Sequence, residues 1–265
     1  MPAEHRGRIA NPTIAEVLAQ FLADQRARLA PRTFAQYEQV VDLLMRSLDS
    51  YAYQSLDKAD AKLFDRLYHA EGNEHREYCE IFGPAHILPN IGEFLGYFMV
   101  RKVIAGKDLL RAAGTVMKKL AEWLADKGYA GVEDAGDAAV RGATAARDLP
   151  KAEDLASRFH RFAGDQDRRS ETDVVEDYFT ITRVTPGKVW LEGLADGREL
   201  GPIDVPEDIS RRCTVGWTIV RHERRDEPKA REAVLRKRWG SAPRNRSAGR
   251  GSKPPQAAPA KRPGW

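Results

Sequence analysis

Apolar residues recur every three or four positions through most of the first half of the chain, which is typical of amphipathic helices. One apolar stripe covers residues 91–104 and a second covers residues 109–124. Asn90 is the expected N-cap of the first helix, with Glu93 as its capping-box partner, and Gly106 lies where a left-handed C-cap is expected. The short connection predicts that the two helices form an antiparallel pair.

Three further helices are predicted upstream. Thr13 is the expected cap of the first, and Pro31 is placed as a first-turn residue of the second. The third covers residues 58–68, with Leu63 and Phe64 on its apolar face. After a flexible N-terminus at residues 1–10, we therefore expect an all-α bundle over residues 11–128, with Gly128 ending its last helix.

The composition then shifts to alanine, glycine and aspartate, so residues 129–150 are predicted to be a linker that is helical in part through its alanines. Few large apolar residues lie there, and limited proteolysis is expected to leave a stable fragment ending near Tyr129. Pro150 is expected to begin a short amphipathic helix whose apolar face carries Leu155, Phe159 and Phe162.

After Arg169 the apolar period changes from helical to alternating, which indicates β-strands. The alternating residues are Phe179 and Ile181, Val189 and Leu191, and Val215, Trp217 and Ile219. Turns are expected at residues 185–188 and 196–197, and a helical turn at 206–210. The predicted fold is α+β: an N-terminal helical bundle and then, over residues 151–222, a helix packed on a small antiparallel β-barrel-like module.

Charge is distributed unevenly along the chain. Thirteen lysines and arginines against four acids give residues 223–265 a net charge of +9; the whole chain carries +4, so residues 1–222 carry −5. This basic tail is rich in proline, glycine and alanine and is predicted to be mostly disordered. It is either a working polycation or the product of a frameshift in a GC-rich gene. The basic pI is therefore no argument that the folded part binds nucleic acid.

Several classes of protein are disfavoured. No apolar run is long and uncharged enough to span a membrane, no secretory signal begins the chain, and two distant cysteines indicate no disulfide framework. The expected location is cytoplasmic. Signatures of P-loop, serine hydrolase, zinc protease and dinucleotide-binding enzymes are missing, so neither catalysis nor a cofactor is predicted.

One cluster has the chemistry of metal ligands: His69, His75, Cys79 and His86. His75 and Cys79 are four residues apart and are expected to share a helix face, and four nitrogen and sulfur ligands satisfy a tetrahedral zinc ion. The spacing matches no standard zinc pattern, however, and glutamates are interleaved with the cluster. A solvated acidic helix carrying incidental histidines is the simpler interpretation, so no metal site is predicted.

Two tryptophans on the predicted strands are alternative candidates for a binding surface. Trp217 shares its face with Val215 and Ile219, which favours burial. Trp190 shares its face with Lys188 and Glu192 and is the better candidate for an exposed ring on which nucleic-acid bases stack.

Basic residues are concentrated on the last helix of the bundle. Residues 101–119 contain six lysines and arginines against one acid, Asp108, a net charge of +5 inside a region that is otherwise acidic. Lys107, Arg111 and Lys118 fall within about 40° of one another on a helical wheel, away from the apolar stripe. Such a stripe is often only a solvated face, but acids are not interleaved with these cations as they are on a typical solubilising face, which favours an anionic partner as the alternative.

Two segments of the first half resemble a known family. LAPRTFAQY at residues 29–37 and LAEWLADKG at residues 120–128 look like the first helix junction and the last helix of the core-binding, SAM-like domain of phage integrases and other tyrosine recombinases. The resemblance covers residues 13–129. It implies a helical module that grips duplex DNA. On that hypothesis the basic residues Arg32, Lys107, Arg111 and Lys118 are expected to contact phosphates. No tyrosine follows Tyr178, so the family's nucleophile is missing and recombination chemistry is not expected.

The sequence therefore leaves three functional hypotheses. The first is a non-catalytic protein that binds double-stranded DNA through its helical domain. The second is a protein-interaction adaptor whose β module presents an edge or a groove to a partner, with the helical domain as scaffold. The third is an enzyme whose site combines scattered residues such as His160, Asp173 and Glu176.

Overall fold

The computed structural model of the protein describes residues 8–164 and 174–224. The helices of the N-terminal region are α1 (Ile14–Arg26), α2 (Pro31–Tyr51), α3 (Lys58–Tyr68), α4 (Tyr78–Ile81), α5 (Ile87–Glu93), α6 (Met99–Arg101), α7 (Lys107–Asp126) and α8 (Val132–Gly164). A π-helical turn, Phe94–Phe98, joins α5 to α6. The second region contains β1 (Val174–Thr185), β2 (Lys188–Gly193), β3 (Glu199–Asp204), α9 (Glu207–Ser210) and β4 (Thr218–Arg224).

The first three helices agree with the prediction. The Thr13 hydroxyl accepts from the Glu16 N–H, and the Glu16 carboxylate accepts from the Thr13 N–H, which closes a capping box at the start of α1. Pro31 is the first residue of α2, and α3 has the predicted bounds, with Leu63 and Phe64 buried. Local caps and apolar spacing therefore determine these elements.

The prediction that residues 91–104 and 109–124 form an antiparallel helix pair is wrong. Asn90 and Gly106 do not cap the first of these helices, and the two helices are not each other's main partner. Asn90 lies inside α5, where its side-chain amide donates to the His86 carbonyl at 2.8 Å, so it caps nothing. Gly106 has φ −72° and precedes α7 as its N-cap, and Ile104, expected in the apolar stripe, is fully exposed. The main partner of α7 is α8, which the sequence did not present as a helix of the bundle.

Residues 132–150 are therefore not a linker but the first half of a 33-residue helix. Ala135, Ala138 and Ala145 are buried in the core of the bundle. Small residues bring α7 and α8 into backbone contact, since a Cβ placed on Gly114 comes within 2.2 Å of the Ala146 nitrogen. The alanine and glycine content that resembled a linker is what permits this close helix packing.

Two hydrophobic cores divide the described residues, and the division falls inside α8. The first core extends from Ile14 to Leu149, and the second begins at Ala152. Leu155 and Phe159 are buried in the second core as predicted, together with Ile209 of α9. Pro150 lies between the two cores but within the helix rather than at its start. One helix thus supplies apolar faces to both regions.

The second core is covered by a four-stranded antiparallel sheet in the order β3-β2-β1-β4. The predicted turn at residues 185–188 joins β1 to β2, with Gly187 at φ 74°, and β2 and β3 form the second hairpin. Phe179, Ile181 and Ile219 face the core as predicted, whereas Val215 precedes β4 and is exposed. The sheet does not close into a barrel, because β3 and β4 do not pair.

The remaining expectations concern other parts of the chain. The tail predicted for residues 223–265 begins two residues too early, because Glu223 and Arg224 are the last residues of β4; residues 225–265 lie outside the described residues, as does most of the flexible N-terminus. Within the described ranges, no helix has the length and apolar character needed to cross a membrane.

Candidate interaction surfaces

The predicted DNA-contacting residues of α7 each have an acidic neighbour. Lys107 Nζ lies 2.6 Å from the Asp154 carboxylate of α8, and Arg111 lies 3.2 Å from Asp108. Lys118 and Lys119 lie 3.7 Å and 2.9 Å from the two carboxylate oxygens of Glu122. The sequence suggested cations without interleaved acids. In the fold, Asp154 of α8 forms an ion pair with Lys107. Glu122, one turn further along α7, forms ion pairs with both Lys118 and Lys119.

Asp154 is the centre of an ion-pair network that joins the two regions. Its second carboxylate oxygen is 3.0 Å from Arg158 and 3.5 Å from Arg212, and Arg158 also contacts Asp208 of α9 at 2.9 Å. Hydrogen bonds from Lys107 and Arg158 lower the pKa of Asp154 to about 2. Lys107, offered by the sequence as a phosphate contact, therefore helps to hold α7, α8 and α9 together.

Arg32 is the predicted phosphate contact whose side chain remains exposed to solvent. It is exposed in the first turn of α2, and the described residues place no acid in an ion pair with it. It lies in a different helix from the other three cations. A shared surface that includes Arg32 therefore stays a prediction.

The four candidate metal ligands have separate partners. Cys79 is buried, and its N–H donates to Asp49 at 2.9 Å; burial raises the pKa of the Cys79 thiol far above its usual range. The other three each bond through Nδ1: His69 to the Asp65 carbonyl, His75 to the Tyr68 carbonyl and His86 to the Tyr78 hydroxyl. His75 precedes α4, so it does not share a helix face with Cys79. No group of three or more potential ligands occurs among the described residues.

Both tryptophans contact other residues of the second region. Trp217 is buried in the second core, as expected. Trp190 is half-buried on β2, with the Arg183 guanidinium 3.7 Å from its ring centroid. The backbone of Gly201 approaches the same indole so closely that a Cβ there comes within 2.8 Å of the ring. A base-stacking role for Trp190 is therefore not favoured.

The two edges of the sheet differ in how they are guarded. β3 carries Pro202, which donates no hydrogen bond, and charged Glu199 and Asp204 at its ends. Proline and charge are common devices that prevent an edge strand from pairing with another chain. β4 contains no proline along its seven residues, although it carries the charged residues Arg221, Glu223 and Arg224, and no described strand lies on its outer side. Sequence alternation revealed β4, but strand order, which decides that it is an edge, was not predictable from local pattern.

Hydrogen bonds next to the start of β4 show which of its residues point outward. Ile181 donates to the Trp217 carbonyl and accepts from the Gly216 N–H, both at 2.8 Å. In an antiparallel ladder the next hydrogen-bonded pair along β1 is then Phe179 with Ile219, which are opposite each other in the register. We infer that the backbone N–H and C=O of Val220 point away from β1.

The scattered enzyme candidates cannot be assembled into a site, because Asp173 and the side chains of His160 and Glu176 lie outside what the structure describes. Comparison of the chain with protein-family models, with curated proteins and with solved structures finds no significant match. The resemblance to the core-binding domain of integrases therefore stays a prediction.

Proposed function

We propose that the protein is an interaction adaptor whose sheet accepts an extended segment of a partner protein along β4, with the helical region as its scaffold. The observation that carries the proposal is that β4, unlike β3, contains no proline and has no described strand on its outer side. Strand addition uses backbone groups that an edge strand leaves unpaired, and it needs no catalytic or cofactor site.

The shape of the sheet supports the same proposal. β1 pairs with β4 along residues 174–180, whereas β2 pairs with β1 only from Phe179 onward. The β1–β4 ribbon therefore extends past the rest of the sheet. A partner strand on β4 has seven residues of ladder to follow, which is longer than a typical strand.

A proline at Val220 tests the proposal, because proline removes one N–H from the outer side of β4 without breaking a bond to β1. We expect full-length protein carrying Val220→Pro to lose partners that the unchanged protein captures from a nuclease-treated lysate. Val220→Ala is the matched control, since it shortens the side chain and keeps the N–H. Capture that is equal for all three proteins contradicts strand addition.

Hydrogen exchange supplies the direct readout. A captured partner added to the protein should slow amide exchange in β4 more than in β3, because only β4 gains ladder hydrogen bonds. Thermal unfolding of the Val220→Pro protein without a partner shows whether the variant still folds. It therefore distinguishes a lost binding edge from a lost fold. Protection spread evenly over both edges argues for a different binding surface.

Binding of double-stranded DNA through the helical domain is a second proposal. It is favoured by the exposure of the α7 ion pairs: Arg111 and Asp108 are both largely exposed, and Lys118 and Lys119 share one carboxylate. Exposed pairs of this kind contribute only about 0–1 kcal/mol, so a phosphate can compete for the cations.

The DNA proposal is tested by replacing Lys107, Arg111 and Lys118 together with glutamine. The slope of log K against log salt for generic duplex DNA should shrink by roughly 2.7, or about 0.9 for each lost phosphate contact. The full-length variant is compared with the full-length protein, so that the basic tail contributes equally to both. An unchanged slope rules out these three residues as phosphate contacts.

A further inference from the structure

A cluster of cations and aromatic rings lies where the helical region meets the sheet. The Arg101 guanidinium carbon is 5.8 Å from the ring centroid of Tyr97 and 4.9 Å from that of Tyr178. Arg101 Nη1 also donates to the Tyr178 hydroxyl at 2.6 Å. Lys102 Nζ lies 5.7 Å from the Tyr97 centroid. We name Tyr97, Arg101, Lys102 and Tyr178 the junction cluster.

The two cations of the junction cluster differ from those of α7. Lys107, Arg111 and Lys118 each have a carboxylate within 4 Å, whereas no acid among the described residues forms an ion pair with Arg101 or Lys102. Aromatic faces stabilise cations by only about 0.5–2 kcal/mol and do not neutralise their charge, so no group in the described part of the chain neutralises these two cations. The junction cluster is thus a positive site on a part of the chain that is acidic overall.

Two exposed apolar residues lie close to the cluster, Ile104 along the chain and Leu194 through a backbone hydrogen bond. Ile104 follows Lys102 by two residues and is fully exposed. Leu194 is 49% exposed, and its N–H donates to the Tyr178 carbonyl at 2.8 Å. Tyr97 of the cluster lies in the π-helical turn, and such turns are frequent at functional sites.

We propose that the junction cluster binds a partner segment that combines acidic and apolar residues. The acidic groups compensate Arg101 and Lys102, while the apolar groups cover Ile104 and Leu194. Charge complementarity is the argument for this occupant, because the cations of α7 have carboxylate partners whereas no described acid forms an ion pair with Arg101 or Lys102. Tyr178 lies opposite Val220 of β4 in the register, but Arg101, Lys102 and Ile104 lie outside the sheet, so a test that varies these three residues does not depend on strand addition.

Selection from a random twelve-residue displayed peptide library on the full-length protein supplies the probe. We expect enrichment of peptides with both acidic and large apolar residues. Their affinity should fall about fivefold or more, equivalent to about 1 kcal/mol, when Arg101 and Lys102 are both replaced by glutamine. The matched control is Lys118→Gln with Lys119→Gln, which removes the same charge from two lysines that already share Glu122.

Two single variants separate binding from folding. Lys102→Gln leaves the Arg101–Tyr178 hydrogen bond in place, and Ile104→Ser changes a side chain that is fully exposed, so neither should lower the thermal stability. Each should weaken the selected peptides. The proposal is overturned if no acidic and apolar class is enriched, if both double variants weaken binding equally, or if Ile104→Ser has no effect. Ile104-dependent binding to phosphatidylserine vesicles, without peptide binding, also overturns it and indicates a membrane surface.

Discussion

The helical region and the sheet bury their apolar surfaces in different ways. In the helical region every long helix has a partner, and α7 is covered by α8 so closely that two glycines, Gly114 and Gly142, lie against backbone atoms of the opposite helix. In the sheet, α8 and α9 pack against the core side, but the described strands leave β4 with a neighbour on one side only. The first region is closed by its own elements, whereas the described strands of the second region do not cover the outer side of β4.

That difference indicates where an interaction is easiest to form. A closed bundle offers side chains alone, and on α7 these are already engaged in ion pairs. An edge strand offers backbone donors and acceptors in a regular ladder, which any extended segment can meet. The comparison therefore favours the sheet as the site of partner binding and the bundle as its support.

The largest expected effect comes from removing one aromatic side chain from each core. Phe21→Ala empties a fully buried position of the helical core, and Phe159→Ala empties the centre of the second core. Each change should cost about 3–5 kcal/mol in the free energy of unfolding. Hydrogen exchange should accelerate mainly in α1 and α2 for Phe21→Ala, and mainly in the sheet for Phe159→Ala.

Equal acceleration in both regions contradicts that expectation. It means that α8, which contributes to both cores, couples them into a single cooperative unit. Hydrogen exchange on these two variants is a better test of the division than limited proteolysis. A fragment ending near Tyr129 lacks the α8 residues that cover α7.

The next largest effect concerns the close packing of α7 against α8. Gly114→Ala places a Cβ within 2.2 Å of the Ala146 nitrogen, so α7 and α8 must move apart, at an expected cost of about 1–3 kcal/mol. Gly136→Ala is the matched control on α8, because nothing lies within 4 Å of its Cβ position. It should stabilise the protein by about 0.5–1 kcal/mol through helix propensity. Urea denaturation measures both; similar values for the two variants refute the close packing.

The smallest effect concerns the ion pairs that join the two regions. Asp154→Asn should lower the free energy of unfolding by about 1 kcal/mol at neutral pH, since the network is partly solvated. The folded-state pKa of Asp154 is lowered from 3.8 to about 2, so its stabilisation is present above pH 4 and is lost as pH falls towards 2. The gap between the two proteins should close over that window. A gap that does not change with pH assigns the effect to packing.

Much of the local structure followed from the sequence. Thr13 and Pro31 start helices because capping and proline geometry depend only on adjacent residues. Gly187 allows the β1–β2 turn for the same reason, and the alternation of Phe179 and Ile181 identified the buried face of β1. Such features act over a few residues, so they are visible in the order of the amino acids.

Tertiary structure decided the rest. Ala135 and Gly142 resemble linker residues in sequence, and only the proximity of α7 shows that small side chains are required there. Lys107 appeared unpaired because Asp154 is 47 residues away in the chain. Strand order likewise placed β4 at the edge of the described strands and kept the sheet open. These properties depend on contacts between distant residues, and neither hydrophobic periodicity nor local charge patterning specifies such contacts.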